Sequence, residues 1–347
     1  GLHMLVQLPA AMSLGFKPRL NFDFRVPGVR EVLKLMPPRA LAMGIDQVEQ
    51  FVAVMLSSLL ASGSLSLFNV ARLLYAVPTL LFGATIGQAA LPSLSLLVAA
   101  KDWDNFRKTL LDSCLQVIFL ALPVCVLFIV LRIPIVRLVF GAKTFPWEAT
   151  ILTGKTLAIL MVSAGFYAIM QLIIRAFYAL HDTKTPLLVG LGAATFNTIF
   201  GILAVRVWAW GIVGIALSLS LTAIFETLVL IFILSQKIFP KREYFNDSLT
   251  ILGKIILISL ITGLGLWLPM RLLDQYIFDT TRTINLLGLT VITSIVGMTL
   301  YFGLSKVFSI PQLAYVKEIA SKIGNWRKYL KAPAQSEPII LPTQEQN

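Results

Sequence analysis

Eight stretches of this chain are long and apolar enough to cross a lipid bilayer, and that feature narrows the choice of fold more than any other. They are residues 36–60, 67–97, 111–131, 150–178, 186–205, 210–235, 249–268 and 284–305. A span needs about 20 mostly apolar residues. No water reaches the hydrocarbon, so a spanning segment must satisfy its own backbone as a helix or close into a barrel. Barrel-type alternation is absent and the apolar runs are long, so the reading is helical. Composition agrees. Charged residues make up 13% and mean hydropathy is +0.83, whereas a soluble domain runs about 25% charged. The sequence predicts an all-α polytopic membrane protein.

Lysine and arginine between the stretches set the orientation, because cytoplasmic loops retain them. One alternating set of segments holds 18 of these residues and the other holds six. The richer set includes residues 13–35 and the region after 306, which predicts a cytoplasmic C-terminus. The net charge of +12 is distributed between apolar runs, so it argues for membrane topology and against nucleic acid. Cys114 and Cys125 share one predicted helix, about 16 Å apart at 1.5 Å per residue, too far for a disulfide. With two histidines and no CxxC or HExxH pattern, no metal site is expected.

The remaining segments read as connections. Residues 1–12 look like the end of a preceding helix and 13–35 like a cytoplasmic loop. Residues 101–110 are expected to lie on the surface, with Trp103 and Phe106 at interface-anchor spacing. Residues 132–141 read as a short interfacial helix on the outer side. Residues 236–248 form a loop and 306–331 an amphipathic cytoplasmic helix, suited to an anionic leaflet. The tail 332–347 has the Pro, Gln and Glu content of a disordered segment.

Charges inside the spans are costly and therefore informative. Asp46, Glu49 and Gln50 are spaced i, i+3, i+4 and share one helix face. That face either packs as a polar stripe on a neighbour or lines a hydrated cavity, with a role in ion or proton coupling. Glu226 lies deep in its span and needs a partner or a proton. Asp182 and Thr183 can cap the helix that follows, whose first turn tolerates Pro186, and Arg175 can pair with Asp182.

Three stretches carry a family resemblance. RAFYALHDTKTP (175–186), SLLASGSLSLFNVARLLYAVPTLLFGATIGQAALPSLS (58–95) and VREVLKLMPPRALAMGIDQVEQF (29–51) resemble the MurJ/MviN-type lipid II flippases. These belong to the multidrug/oligosaccharidyl-lipid/polysaccharide exporter superfamily. The resemblance covers about residues 1–308 and implies the C-terminal portion of such a transporter. Residues 36–235 would form its second six-helix lobe. Residues 249–305 would form the final helix pair, which holds a lipid in a groove continuous with the central cavity. A first lobe, N-terminal to this one, is the expected partner in the intact protein.

The resemblance also implies roles. Arg72 stands one place before the position of a family arginine, which Leu73 occupies, and Ala76 stands at a family acidic position. Arg72 reads either as a cavity donor to phosphate oxygens, for which a guanidinium fork is suited, or as a snorkelling or ion-paired structural group. Arg39, after Pro37-Pro38, reads as a cavity-mouth contact or a positive-inside anchor. Arg175, Tyr178, Asp182, Thr183, Thr185 and Pro186 form the signature, read as architecture or as a gate.

No nucleophile–base arrangement and no GxxxxGK[ST] loop is present. The chain is therefore not expected to be an enzyme or an ATPase, and no cofactor is expected. Its energy source would be a membrane potential or an ion gradient. The expected function is part of a lipid II flippase of the bacterial inner membrane. It would move undecaprenyl-diphosphate-linked peptidoglycan precursor outward by alternating access, among membrane lipids. The alternatives are export of another polyprenyl-linked oligosaccharide, export of amphipathic cations, or a transport-inactive fragment.

Overall fold

Helices satisfy their own backbones, and they account for the architecture of the computed structural model, which describes residues 9, 12–13, 27–140, 146–238, 243–276 and 283–324. In chain order these helices are α1 (Pro27–Ser58), α2 (Ser64–Ala99), α3 (Trp103–Val130), α4 (Arg132–Phe140) and α5 (Trp147–Ala179). They continue as α6 (Lys184–Val207), α7 (Gly211–Ile238), α8 (Glu243–Tyr276), α9 (Thr283–Val307) and α10 (Leu313–Gly324). Among the described residues, seven of these helices are long and apolar enough to cross a membrane: α2, α3, α5, α6, α7, α8 and α9. The first expected span falls on α1, which is long enough. Its polar stripe, Asp46 to Gln50, keeps it outside that apolar set.

α5 is the most buried span and packs against α2, α3, α4 and α7. α1 lies on α6, while α8 docks on α3 and carries α9 beside it. One core joins Phe106, Leu110, Leu172, Phe177, Leu230 and Leu234. Another joins Ala53, Leu56, Phe68, Ile212 and Ile215. Hydroxyls tie the helices together where lipid offers no hydrophobic drive. The Ser220 hydroxyl donates to the Ile159 carbonyl at 3.0 Å, Thr227 to Phe166 at 3.1 Å, and Tyr301 to Phe119 at 2.8 Å. Much of the outside is bare Leu, Ile, Val and Phe, a surface that suits hydrocarbon and not water.

Several expectations change: the segments 13–35 and 236–248, expected as loops, are helical from Pro27 and from Glu243 onward. Residues 103–110 keep a surface face, with Trp103, Asp104, Asn105 and Lys108 exposed, but Phe106 does not lie on it. These residues begin α3, which Asp102 caps by accepting the Asn105 N–H at 3.2 Å, and Phe106 is fully buried among α5 and α7 side chains. The amphipathic helix near the C-terminus is present as α10. Its apolar side, Leu313 and Val316, packs on the Ile255–Tyr301 cluster, so the bundle takes the face expected to meet lipid. Residues 1–8, 10–11, 14–26 and the tail from 325 lie outside the described residues.

α2 bears on the site. Pro78 has no N–H to give to the preceding turn, and the helix widens over Thr79–Ala84 into a π-type turn. Within that turn Gly83 is pressed onto α5. An added Cβ would come within 2.6 Å of the Ala168 Cα and 2.7 Å of its carbonyl oxygen. Only a glycine fits that approach.

Candidate functional site

Three helices each turn one face toward a common hollow. α1 contributes Glu49, Gln50 and Ala53, and α2 contributes Arg72, Tyr75, Ala76 and Thr79 at i, i+3, i+4, i+7. α7 contributes Leu219, Thr222, Ala223 and Glu226 in the same rhythm, and Leu160 and Tyr167 of α5 form the back wall. The wide turn after Pro78 supplies Thr79 and Leu80 at the rim. The cavity has a volume of about 340 Å³, within the roughly 300–1,000 Å³ range of ligand pockets. Leu73 and Leu80, which also line it, are 71% and 61% exposed, so it opens sideways out of the bundle.

Glu49, Gln50, Arg72 and Glu226 therefore share one wall-lined space, although they come from three helices. Glu49, Arg72 and Glu226 are half-buried and Gln50 is exposed. The Glu226 carboxylate reaches α6, where Gly190 leaves it room: an added Cβ there would stand 3.5 Å from Oε1. Arg72 is the one cationic side chain among the described lining residues, against two carboxylates. Tyr75 and Tyr167 face each other with ring centroids 6.0 Å apart. Asp46 and Arg39 lie on α1, and their side chains are outside the described set.

Thr222 stands out among the cavity's hydroxyls. Most helical threonines here return a hydrogen bond to the carbonyl four residues back, as Thr198, Thr227 and Thr262 do. Thr222 is 2% exposed and its Oγ1 makes no hydrogen bond. A buried hydroxyl left so is costly.

The signature residues sit elsewhere, at the end where α5 passes into α6. Asp182 accepts the Thr185 N–H at 3.0 Å and the Thr185 hydroxyl at 2.6 Å, and it is ion-paired with Lys237 of α7. This caps α6 and fastens the α5–α6 turn to α7. Burial opposes the Asp182 charge, but the Lys237 ammonium and the Thr185 donors outweigh it and hold the carboxyl below the usual carboxylate range. The observed Asp182 ion pair is thus with Lys237. The Arg175 guanidinium donates to the Gln171 carbonyl at 2.5 Å and to its side-chain oxygen at 3.2 Å, and crosses Gly87 of α2. Tyr178 is half-buried nearby, while Thr183 and Pro186 are buried. Capping here falls to Asp182 alone, since the Thr183 hydroxyl makes no capping bond.

A second hollow, about 550 Å³, lies between α3, α5, α7 and α8. Leu115, Ile118, Phe166, Ile169, Leu252 and Ile256 make its walls almost wholly apolar. It meets the opposite face of α5 and shares no lining residue with the polar cavity. The resemblance implies a groove of the final helix pair that runs into the central cavity; this hollow takes lining residues from α8 but none from α9, and it is separate from the cavity. Among the described residues no three His, Cys, Asp or Glu side chains gather as a metal site would require.

Tyr75, Thr79, Tyr167 and Thr222 were not anticipated. Three of them follow from helical spacing: Tyr75 and Thr79 lie three and seven residues after Arg72, and Thr222 lies four before Glu226. Tyr167 carries no such sequence signal, since it depends on how α5 crosses α2.

Comparison with known proteins bears on this arrangement. The sequence profile of the family described as "Lipid II flippase MurJ" matches residues 2–287. The chain is 25% identical over 316 residues to a probable lipid II flippase MurJ of Bdellovibrio bacteriovorus, covering 91% of this chain and 59% of that protein. It is 26% identical to the lipid II flippase MurJ of Burkholderia cenocepacia, covering 87% of this chain and 58% of that protein. It thus spans about three-fifths of the length of these curated relatives. Among solved structures, it superposes on a lipid II flippase MurJ in an inward closed conformation with a TM-score of 0.61 and 24% identity. That match covers 86% of this chain and 59% of the other. A MATE transporter in complex with MaD5 shares the fold at a TM-score of 0.53 and 14% identity, over 86% and 71% of the two chains.

Proposed function

The chain belongs to the lipid II flippase MurJ family, a family of transporters and not of enzymes, and from that premise we propose that it carries the second lobe of a lipid-linked-substrate flippase. In this reading residues 36–235 form that six-helix lobe and residues 249–305 the final helix pair. The substrate is lipid II, moved from the inner to the outer leaflet by alternating access with a first lobe. The C-terminus then faces the cytoplasm, a reading that the 18-to-six charge asymmetry supports.

The observation that carries the reading is the polar cavity that opens through the side of an otherwise apolar bundle. Arg72 is its phosphate donor and Glu49, Gln50 and Glu226 are its coupling wall, with Arg39 and Asp46 of α1 assigned to substrate and coupling roles on the sequence alone. The apolar crevice beside α8 seats a lipid chain. The signature residues Arg175 to Pro186 act as architecture, since Asp182 spends its acceptors on Thr185 and Lys237. No cofactor takes part. A membrane potential supplies about 2.3 kcal/mol per charge per 100 mV, enough to bias a cycle.

The test is lipid II binding and translocation with Arg72→Ala and Arg72→Lys at equal abundance. A lost charge-assisted bond contributes about 1.5–3 kcal/mol, or roughly 10–100-fold in affinity. Ala should lose that much and Lys less. Unchanged binding in both variants removes Arg72 from the substrate site. A second reading, export of amphipathic cations, draws on the two carboxylates and two tyrosines of the same cavity. It predicts tight binding of tetraphenylphosphonium and weak binding of lipid II.

A further inference from the structure

The apolar crevice on the far side of α5 has a length and a direction as well as a volume. Its α3 wall runs from Leu110 to Leu122, about 18 Å at 1.5 Å per residue. Its other walls are Val162 to Ile173 of α5, Leu228 to Ser235 of α7 and Ser248 to Ile256 of α8. In the orientation proposed above, each wall starts toward the cytoplasmic end of its helix and stops near the middle of its span. The hydrocarbon core is about 30 Å thick, so the crevice is about as deep as one leaflet. Among the described lining residues only Cys114, Ser235 and Ser248 bring polar side-chain atoms, and the Ser235 hydroxyl already donates to the Phe232 carbonyl at 2.7 Å. At the cytoplasmic mouth Lys108 shares a face of α3 with the lining residues Leu111 and Leu115, and Asp247 precedes Ser248 on α8. Both charged side chains are exposed.

We propose that this crevice seats one acyl chain of a zwitterionic phospholipid of the cytoplasmic leaflet, a resident lipid distinct from the transported one. The leaflet assignment rests on the orientation read above for the flippase. Three observations select this occupant. A slot one leaflet deep matches a chain that itself spans one leaflet, whereas an undecaprenyl chain is several times longer than a leaflet is deep. The crevice shares no lining residue with the polar cavity and meets the opposite face of α5, so a headgroup in the cavity has no lined path to a tail here. The mouth offers an ammonium and a carboxylate, and these match a phosphate at Lys108 and an ethanolamine amine at Asp247. α8 docks on the lobe through α3, and the chain fills the space left between α7 and α8. Lipid thereby completes the seam between the lobe and the last two helices.

The experiment is native mass spectrometry of the full chain, delipidated in detergent and titrated with palmitoyl-oleoyl phosphatidylethanolamine or undecaprenyl phosphate. Wild type should retain one phosphatidylethanolamine, which undecaprenyl phosphate in equal amount does not displace. Gly165→Leu plugs the slot without touching backbone, because its Cβ would meet only Leu122 Cδ2, at 3.5 Å. Val162→Trp plugs it from a position that is 59% exposed. Each plug should weaken retention about tenfold or more, since excluding two chain methylenes already costs about that much. Lys108→Ala should weaken it about twofold to fivefold, the range of an exposed ion pair. Thermal melts of each variant exclude misfolding as the cause, and lipid II binding should be unchanged by both plugs. Displacement by undecaprenyl phosphate, no retained phospholipid in wild type, or retention that neither plug lowers overturns the proposal. Retention of phosphatidylethanolamine by a wild type that binds no lipid II supports the crevice occupant and overturns the flippase reading alone. Reversed sidedness in cysteine labelling overturns the leaflet assignment.

Discussion

Gly83→Ala isolates the contact that holds the wide turn of α2 against α5. The new Cβ would lie 2.6 Å from the Ala168 Cα, 2.7 Å from its oxygen and 3.0 Å from its Cβ. Carbon atoms prefer about 3.5–4.0 Å, so the deficit is about 1 Å. It falls on backbone, which no rotamer change relieves, and the helices must therefore part. Overpacking of this kind costs about 1–3 kcal/mol. Gly192→Ala is the matched control, because nothing stands within 4 Å of its added Cβ. There the helix propensity gain of up to about 1 kcal/mol applies. Gly297→Ala falls between them: its nearest neighbours are the Leu266 side-chain carbons at 2.8 Å, which can turn away. Unfolding by SDS titration in mixed micelles should rank the three Gly83, Gly297, Gly192 from most to least destabilised. Because Thr79 and Leu80 sit in the same turn, Gly83→Ala should also loosen the cavity and weaken lipid binding. A Gly83→Ala protein within about 0.5 kcal/mol of wild type, below the overpacking range, would refute the backbone-contact reasoning.

Other outcomes follow from the two ends of the bundle. Asp182→Ala removes a helix cap and a partly exposed ion pair, so it should destabilise by about 1–2 kcal/mol, read in the same titration. The Asp182 carboxyl is held below its ordinary value of about 3.9, so its contribution is complete above that pH. It is lost as pH falls through the lower folded value. Wild type and Asp182→Asn should thus differ by a constant amount from pH 5 to 8 and converge only as the pH falls through that lowered folded value. For sidedness, Ser62→Cys should label only from outside the cell and Lys184→Cys only from the cytoplasm. Both side chains are exposed, and the reverse pattern would overturn the orientation.

The helices were legible because apolar length is a strong signal, and seven of the eight expected windows coincide with apolar helices. The eighth, on α1, holds the polar stripe that also made Glu49 and Gln50 readable as a cavity face. Arg72 and Glu226 stood out as charges in apolar surroundings, and the fold brings both to that face. Their meeting was not readable, since it depends on how α1, α2 and α7 rotate about their axes. Phe106 was misread for a related reason: an aromatic near a helix start looks alike whether it anchors in the interface or packs inward. The Asp182–Lys237 pair spans 55 residues, and local pattern offered only Arg175. The separation of the crevice from the cavity turns on opposite faces of α5, which is apolar on both.

The most direct measurement is photo-crosslinking of lipid II in nanodiscs from a diazirine side chain at Leu80, on the cavity rim. Leu188 serves as the reference, being 67% exposed on α6 and no part of the cavity lining. The account predicts strong labelling from Leu80 that excess unlabelled lipid II competes away and Arg72→Ala diminishes, with weak labelling from Leu188 that competitor leaves unchanged. Equal labelling from both positions, insensitive to competitor and to Arg72, would contradict it.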